Sequence, residues 1–325
     1  MAKVKIGLVG RGFIAPFHFN GFLNNEDAKV VGMCTHAKGN QQELEKMCRE
    51  WNIKAYSGFD EMLQDPEIDA LEIGSINTEH YNQIMKAIAV GKPVLAEKPV
   101  VTDFAQLDDI IQASKAKGVL VFPAHNFVYR KAVRESKKII ESGRLGRITY
   151  ASFISSHTIP PEHAAGWRGK LNISAGGALM DSGHHQVYMS LYLMGMPSKI
   201  QAFRSNILLN GMEGEDIAQI NALYPDHAIG TILQSWTSGF TDGLNGIKIM
   251  GDKGLIQVTD ALYLNGEMIN SDADYAGSFI GQAKAFTDAI LHDIPPVSTL
   301  EDCRNTLKII YSAYQSSDQD KVISF

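Results

Sequence analysis

Apolar and polar positions alternate in two rhythms over the first 124 residues. Short β-rich runs at 3–9, 29–35, 70–74, 93–97 and 119–122 are separated by longer amphipathic stretches at 13–23, 41–51, 79–89 and 104–117. That alternation predicts repeated βαβ units and a parallel sheet covered by helices, an α/β arrangement. The last stretch ends in Lys115, Lys117 and Gly118, as a helix C-terminus favours, and Asp103 stands where an N-cap belongs. After Pro123 the rhythm changes. One helix is predicted at 131–142, then β-rich runs at 148–157, 199–206, 218–224, 228–236, 246–250 and 255–259. Tyr224-Pro-Asp and Gly251-Asp-Lys-Gly254 read as hairpin turns, so the second half is expected to hold a mostly antiparallel sheet. Helices are predicted at 177–193, 279–292 and 300–316, and the polar segment 316–321 is expected to fray. With no internal repeat or low-complexity linker, the expected division is a dinucleotide-binding domain at 1–124 and a second domain at 125–325.

Composition narrows the function. The 325 residues are 45% hydrophobic and 20% charged, ordinary values for a folded chain of two domains. Lys plus Arg number 30 against 36 Asp plus Glu, a net charge of −6 with no basic run, so no nucleic-acid partner is expected. Cys34, Cys48 and Cys303 include no C-x-x-C pair, which argues against a disulfide framework or a zinc knuckle. The chain opens on strand-like sequence without a charged leader, and no apolar stretch approaches the roughly 18 residues of a membrane span. A cytoplasmic protein with no membrane partner is the expectation.

Candidate chemistry begins in Lys3–Ala15, where an apolar run breaks into Gly10-x-Gly12-Phe13-Ile14-Ala15 and then into helix-compatible sequence. A strand, glycine turn and helix N-terminus present backbone N–H groups to a pyrophosphate, though such turns also close ordinary βα connections. Ligands of an open parallel sheet collect beyond the C-terminal strand ends. There this chain places Thr35-His36, Ser75-Ile76-Asn77-Thr78-Glu79-His80, Glu97-Lys98-Pro99 and His125-Asn126. Proline biases Lys98 toward extended backbone, so its ammonium is expected to leave the strand end and favour the alkoxide-like form of a substrate hydroxyl. The alternative is a solvated lysine before a loop proline. In Gly176–His185, helical spacing puts Asp181 and His185 on one face, where a carboxylate one turn away orients an imidazole for general base work. Alternatively Asp181 is an N-cap and His184 or His185 a hydrogen-bonded, half-buried residue. Trp167-Arg168 reads either as a loop tryptophan packed on the sheet beside a solvated arginine or as a cap on the nicotinamide end of a cofactor. Tyr129, Arg130, His157 and Trp167 are candidate pocket residues. Two histidines and one aspartate on one turn do not complete a metal site, so no metal is expected.

These pieces, in this order, resemble the glucose-fructose oxidoreductase and inositol dehydrogenase family of NAD(P)-dependent oxidoreductases, Gfo/Idh/MocA. The resemblance rests on the turn at Gly10 to Ala15, Asn77-x-x-His80, Gly91-Lys92-Pro93-x-x-x-Glu97-Lys98-Pro99, Gly143-x-x-Gly146, Trp167-Arg168 and Gly177-x-x-x-Asp181-x-Gly183-x-His185, and covers nearly the whole chain. It implies an N-terminal Rossmann doubly wound sheet. It also implies a C-terminal α+β domain whose large open-faced sheet makes a homodimer or homotetramer interface. Carried over by position, Lys98 faces substrate and nicotinamide, Asp181 and His185 form the acid/base pair, and Glu97 and Asn77 contact the cofactor. Gly10, Gly12, Phe13, Ile14, Thr35, His36, Lys38, Ser75, Ile76, His80, Lys98, Asn126, Trp167 and Arg168 complete the expected cofactor site. The implied substrate is a carbohydrate-like small molecule: a sugar, sugar derivative, polyol or inositol.

Three positions depart from the family pattern. Ile76 stands where proline is common, and Tyr188 where a carboxylate or other polar group is common three residues past His185. At the end of the second strand Thr35, His36 and Lys38 replace the acidic residue that usually meets an NAD ribose. The expected cofactor is therefore NADP or NAD, with NADP favoured, although Thr35 can also bond a bare ribose. A nucleotide- and sugar-sensing regulator without turnover is the alternative from the same motifs, and an α/β protein whose glycine turn binds nothing is a third reading.

Overall fold

The computed structural model describes residues 3–35, 41–240, 243–271 and 274–325. In chain order the elements begin β1 (Val4–Val9), α1 (Ala15–Leu23), β2 (Ala28–Cys34), α2 (Gln41–Trp51), β3 (Lys54–Ala55), α3 (Phe59–Gln64) and β4 (Ala70–Ile73). Next come α4 (Asn77–Ala89), β5 (Val94–Ala96), α5 (Phe104–Lys117), β6 (Val121–Pro123), α6 (Lys131–Glu141) and β7 (Ile148–Ser156). Two short helices, α7 (Pro161–Ala165) and α8 (Leu171–Ser174), precede α9 (Gly183–Met194). Then follow β8 (Lys199–Ser205), β9 (Ile217–Leu223), β10 (Ile229–Ser235), β11 (Gly246–Gly251), β12 (Leu255–Val258), β13 (Leu262–Leu264) and β14 (Glu267–Asn270). The chain closes with α10 (Tyr275–His292), α11 (Leu300–Asp318) and β15 (Ile323–Ser324).

The first compact unit comprises Met1–Tyr129 and Tyr275–Leu300. Its sheet is parallel, as the βαβ alternation predicts, and runs β3-β2-β1-β4-β5-β6, a Rossmann order of the kind the family resemblance implies. Strands β4, β5 and β6 are buried throughout, because helices cover both faces. Helix α5 is capped as the sequence predicts: Asp103 accepts from Gln106 N at 2.9 Å, and Gly118 takes a left-handed conformation at the C-cap. The short β3 and α3 were not anticipated, since two and six residues are too few for a periodic signal.

The sequence reading puts all of 125–325 in the second domain, whereas α10 belongs to the first unit. Helix α10 crosses α1 where Gly21 allows it: a Cβ there would lie 2.7 Å from Phe279 O. Asn25 Nδ2 donates to Thr287 Oγ1 at 2.8 Å, and the Phe22 ring meets Phe286 edge-on. Contacts so distant in sequence leave no trace in local periodicity.

The second unit comprises Arg130–Asp274 and Glu301–Phe325. Among the described residues its sheet has nine strands in the order β14-β13-β12-β11-β7-β10-β9-β8-β15, with β7 and β10 parallel and the other pairs antiparallel. In β9, Ala218, Ile220 and Ala222 are buried while Gln219 and Asn221 face outward, the alternation of a sheet covered on one side. The two predicted hairpins join β9 to β10 and β11 to β12. The segment expected to fray is ordered instead. Ser316 is buried, its Oγ accepting from Ala202 N at 3.0 Å and donating to Lys321 O, and the chain then adds β15 to the sheet edge.

The helix predicted at 177–193 begins only at Gly183. Residues 177–182 form turns pinned by the buried Glu215, whose carboxylate accepts from Gly177 N at 3.2 Å, Leu179 N at 2.9 Å and the Tyr314 hydroxyl at 3.0 Å. The backbones approach so closely that a Cβ on Gly177 would fall 2.0 Å from Glu215 O. Glu215→Ala would strand two N–H groups and a hydroxyl, so we expect a loss of about 3 kcal/mol in urea unfolding. An unchanged midpoint would show that the turn holds itself.

Candidate active site

In the first unit the strand order reverses between β1 and β4, where neighbouring loops part and leave a crevice. Gly10 has φ +111°, and a Cβ on it would lie 2.4 Å from Gly74 O at the end of β4. Only glycine fits both the angle and the space. A Cβ at Gly12 would meet nothing within 4 Å, so the turn is closed behind and open in front. Helix α1 starts at Ala15 with proline in its first turn, and no side chain caps it. A dinucleotide fits this cradle: bare backbone at Gly12, the uncapped helix start and a rigid floor at Gly10 and Gly74. Phe13 is largely exposed beside it, and Arg11 pairs with Glu43 of α2 at 2.6 Å.

Of the strand-end residues, Thr35 follows β2 and is half-buried, while His36 and Lys38 lie outside the described residues. Ser75 Oγ donates to Gln83 Oε1 at 2.6 Å, Ile76 is exposed, and Asn77 opens α4. His80 and Asn126, expected at the cofactor, are turned inward. The buried His80 ring places Nδ1 3.1 Å from Pro99 O and Nε2 3.0 Å from Ser75 O, tying two strand ends together. Burial pushes its pKa down, and the two carbonyls partly oppose that. Asn126 Nδ2 donates to Ser278 Oγ of α10 at 2.8 Å. Tyr129, a candidate pocket residue, stacks on Phe122 in the interior.

Glu97, Lys98 and Pro99 follow β5, with a cis Lys98–Pro99 bond. Glu97 is buried: Oε1 meets His18 Nε2 of α1 at 2.9 Å, and Oε2 accepts from Lys98 N at 3.1 Å. The start of the Lys98 segment is thus held from α1. The fully buried His125 contacts Ser298 Oγ at 2.6 Å, and burial together with the Lys98 ammonium pushes its pKa down to about 3. A neutral imidazole thus stands beside that ammonium.

Two residues outside the expected site, His18 and Glu72, join this cluster. Glu72 sits in the middle of β4, 1% exposed, its Oε1 3.4 Å from His18 Nε2. Burial raises its pKa to about 7, with Glu97 adding to the rise and His18 opposing it. The available signal was a charged residue interrupting the apolar run Ala70-Leu71-Glu72-Ile73.

In the second unit Asp181 stands before α9, so its placement on one helical face with His185 does not hold. Asp181 Oδ2 accepts from Arg168 Nε at 2.7 Å, and the Arg168 guanidinium lies 4.4 Å from the centre of the Trp167 ring. His185 Nδ1 meets the hydroxyl of the buried Tyr188 at 2.7 Å, one turn further along α9. Tyr188, which departs from the family pattern, is therefore a hydrogen-bond partner of the imidazole. When Nδ1 donates to Tyr188, Nε2 is the acceptor nitrogen of the ring. His157 has its pKa lowered by burial, with Asp181 opposing. Among the described residues no group of three or more His, Cys, Asp or Glu is placed to hold a metal ion, and no helix is long and apolar enough to cross a membrane.

Comparison with known proteins places these features in one family. The model described as "Oxidoreductase family, NAD-binding Rossmann fold" matches residues 4–125, and that of the "GFO/IDH/MocA C-terminal domain" matches 133–257. The chain belongs to the GFO/IDH/MocA oxidoreductase family. Myo-inositol 2-dehydrogenase of Thermotoga maritima is 23% identical over 337 residues, spanning 98% of each chain. The 1,5-anhydro-D-fructose reductase of Ensifer adhaerens is 25% identical over 250 residues, 76% of this chain and 73% of the reductase. Levoglucosan dehydrogenase, solved with NADH and levoglucosan, superposes with a TM-score of 0.88 at 20% identity over 99% of each chain, a likeness in fold.

The two glycines separate stability from binding. Gly10→Ala is expected to cost about 2 kcal/mol or more in denaturant unfolding, from the positive φ and the contact with Gly74. Gly12→Ala should change stability by less than about 0.5 kcal/mol while weakening NADH or NADPH binding at least tenfold by fluorescence titration. Equal nucleotide affinity in Gly12→Ala and the parent would remove the turn from the site.

Proposed function

We propose that the protein is an NAD(P)-dependent oxidoreductase that transfers a hydride between nicotinamide and a secondary alcohol or ketone carbon of a sugar, sugar derivative, polyol or inositol. The observation that carries this reading is the cradle at Gly10 and Gly12, closed by Gly74 and open at Gly12, in a chain of this family. Relatives named for inositol and anhydrosugar substrates, and a structural neighbour solved with NADH and levoglucosan, support the substrate class.

The turn at Gly10 and Gly12 and the start of α1 would hold the cofactor, whose nicotinamide C4 would supply the hydride acceptor for the carbinol carbon. The residues of the chain manage the proton and the charge. His185, its Nδ1 bonded to Tyr188, takes the hydroxyl proton on Nε2 as the C=O bond forms. Lys98 stabilises the developing alkoxide, its backbone held through Glu97 and His18. Asp181 supports the site through Arg168, and Trp167 offers an aromatic face to the apolar side of a sugar ring. NADP remains the favoured cofactor because Thr35 presents no carboxylate to repel a 2′-phosphate. The outward face of the second sheet, which carries the exposed Phe203, Ile229 and Met250, forms a homodimer or homotetramer interface, and the protein works in the cytoplasm.

Screening polyols and sugars with each nicotinamide cofactor by absorbance should find turnover. Lys98→Ala and His185→Ala should each lower kcat at least about 100-fold with little change in thermal stability. Tyr188→Phe should shift the pH profile of kcat, since the orienting bond at Nδ1 is lost. Tight binding of nucleotide and sugar without a single turnover would favour the sensor reading instead.

A further inference from the structure

Burying Glu72 calls for an explanation. A carboxyl in the central strand of a parallel sheet carries a desolvation cost that an apolar side chain would avoid. Its neighbours connect it to the dinucleotide cradle. On β4 it lies beside Leu8 of β1 and Leu95 of β5, the two strands flanking the reversal and the Lys98 segment. A Cβ at Gly74 would sit 2.8 Å from Glu72 Oε1, and one at Gly10 would sit 2.4 Å from Gly74 O. The carboxyl, Gly74 and the phosphate-facing turn are therefore in one continuous stack. The ionisable groups around Glu72 are His18 from α1 and Glu97 from the end of β5, with the buried Cys34 thiol of β2 sensing its charge. Among the described residues Oε1 of Glu72 has no hydrogen-bond partner, and His18 Nε2, 3.4 Å away, is closer to Glu97.

We propose that Glu72 couples dinucleotide binding to proton uptake: the neutral carboxyl favours the bound pyrophosphate, and the ionised one opposes it. The inference rests on the dinucleotide reading given above. With His18 protonated and Glu97 ionised, the buried cluster is neutral while Glu72 holds its proton and carries one negative charge once that proton leaves. A dianionic pyrophosphate resting on the other side of Gly74 disfavours that charge. By linkage, the bound ligand holds the proton on Glu72 to higher pH. The direction agrees with the raised pKa of Glu72 in the free protein, about 7, so the proton is lost across the neutral range. Glu72 is in this account a positioning residue, acting through the floor of the site.

The test is the dissociation constant of NADH or NADPH, whichever binds tighter, from about pH 6 to about pH 8.5 by fluorescence titration. The parent protein should weaken roughly five- to tenfold across that range. Glu72→Gln, which keeps the shape of the neutral carboxyl, should hold the tight low-pH value throughout. A parent protein without pH dependence, or a Glu72→Gln variant with the same slope as the parent, overturns the proposal and leaves dinucleotide binding standing. Should the variant fail to fold, calorimetric titration of the parent near pH 7.5 in phosphate and in Tris measures proton uptake directly. A heat that follows the buffer's ionisation enthalpy supports the proposal, and equal heats refute it. If neither nucleotide binds at any pH, the dinucleotide reading falls and this inference falls with it.

Discussion

The backbone contact between Gly10 and Gly74 is the constraint on which the first unit depends. Where β1 and β4 part, two main chains come so close that neither a side chain nor an ordinary φ is tolerated at Gly10. The turn therefore faces outward at Gly12, and α1 starts at a fixed point and direction. One consequence is that His18, in the first turn of α1, reaches Glu97 at the far side of β4. From Glu97 a second bond holds the backbone of Lys98. The glycine turn and the lysine segment, 88 positions apart in number, are joined by one buried imidazole.

A comparable arrangement governs the second unit. Glu215 fixes the turn at residues 177–182 by accepting two backbone N–H groups, and burial pushes its pKa up while the Leu179 N–H bond and the Tyr314 hydroxyl oppose the rise. That turn sets Asp181 against Arg168 and sends α9 off at Gly183, so that His185 and Tyr188 share a face. In each unit a buried carboxylate fixes backbone, and the backbone then presents a group suited to proton or charge transfer. Side chains held in this way lose little further entropy on meeting a ligand.

Much of this was legible in the sequence because local pattern carried it. The βαβ alternation, the caps at Asp103 and Gly118, the glycine turn and the two hairpins all depend on residues near one another in the chain. What was missed depends on distant partners. The start of α9 is set by Glu215, the ordering of Ser316 by Ala202, and the place of α10 by Gly21 and Asn25. His80 and Asn126 stood at the right strand ends, but the sequence could not show that their side chains bond inward. Glu72 left one trace, a charge in an apolar strand, whose meaning needed His18 and Glu97 beside it.

The central claim is that the Gly10 turn holds a dinucleotide for hydride transfer. A crystal structure of the protein grown with NADPH or NADH addresses it most directly. The account predicts the pyrophosphate against the backbone of Gly12 and the start of α1, with the nicotinamide ring within reach of the Lys98 ammonium. A nucleotide bound elsewhere on the chain, or a ring directed away from Lys98, would contradict it.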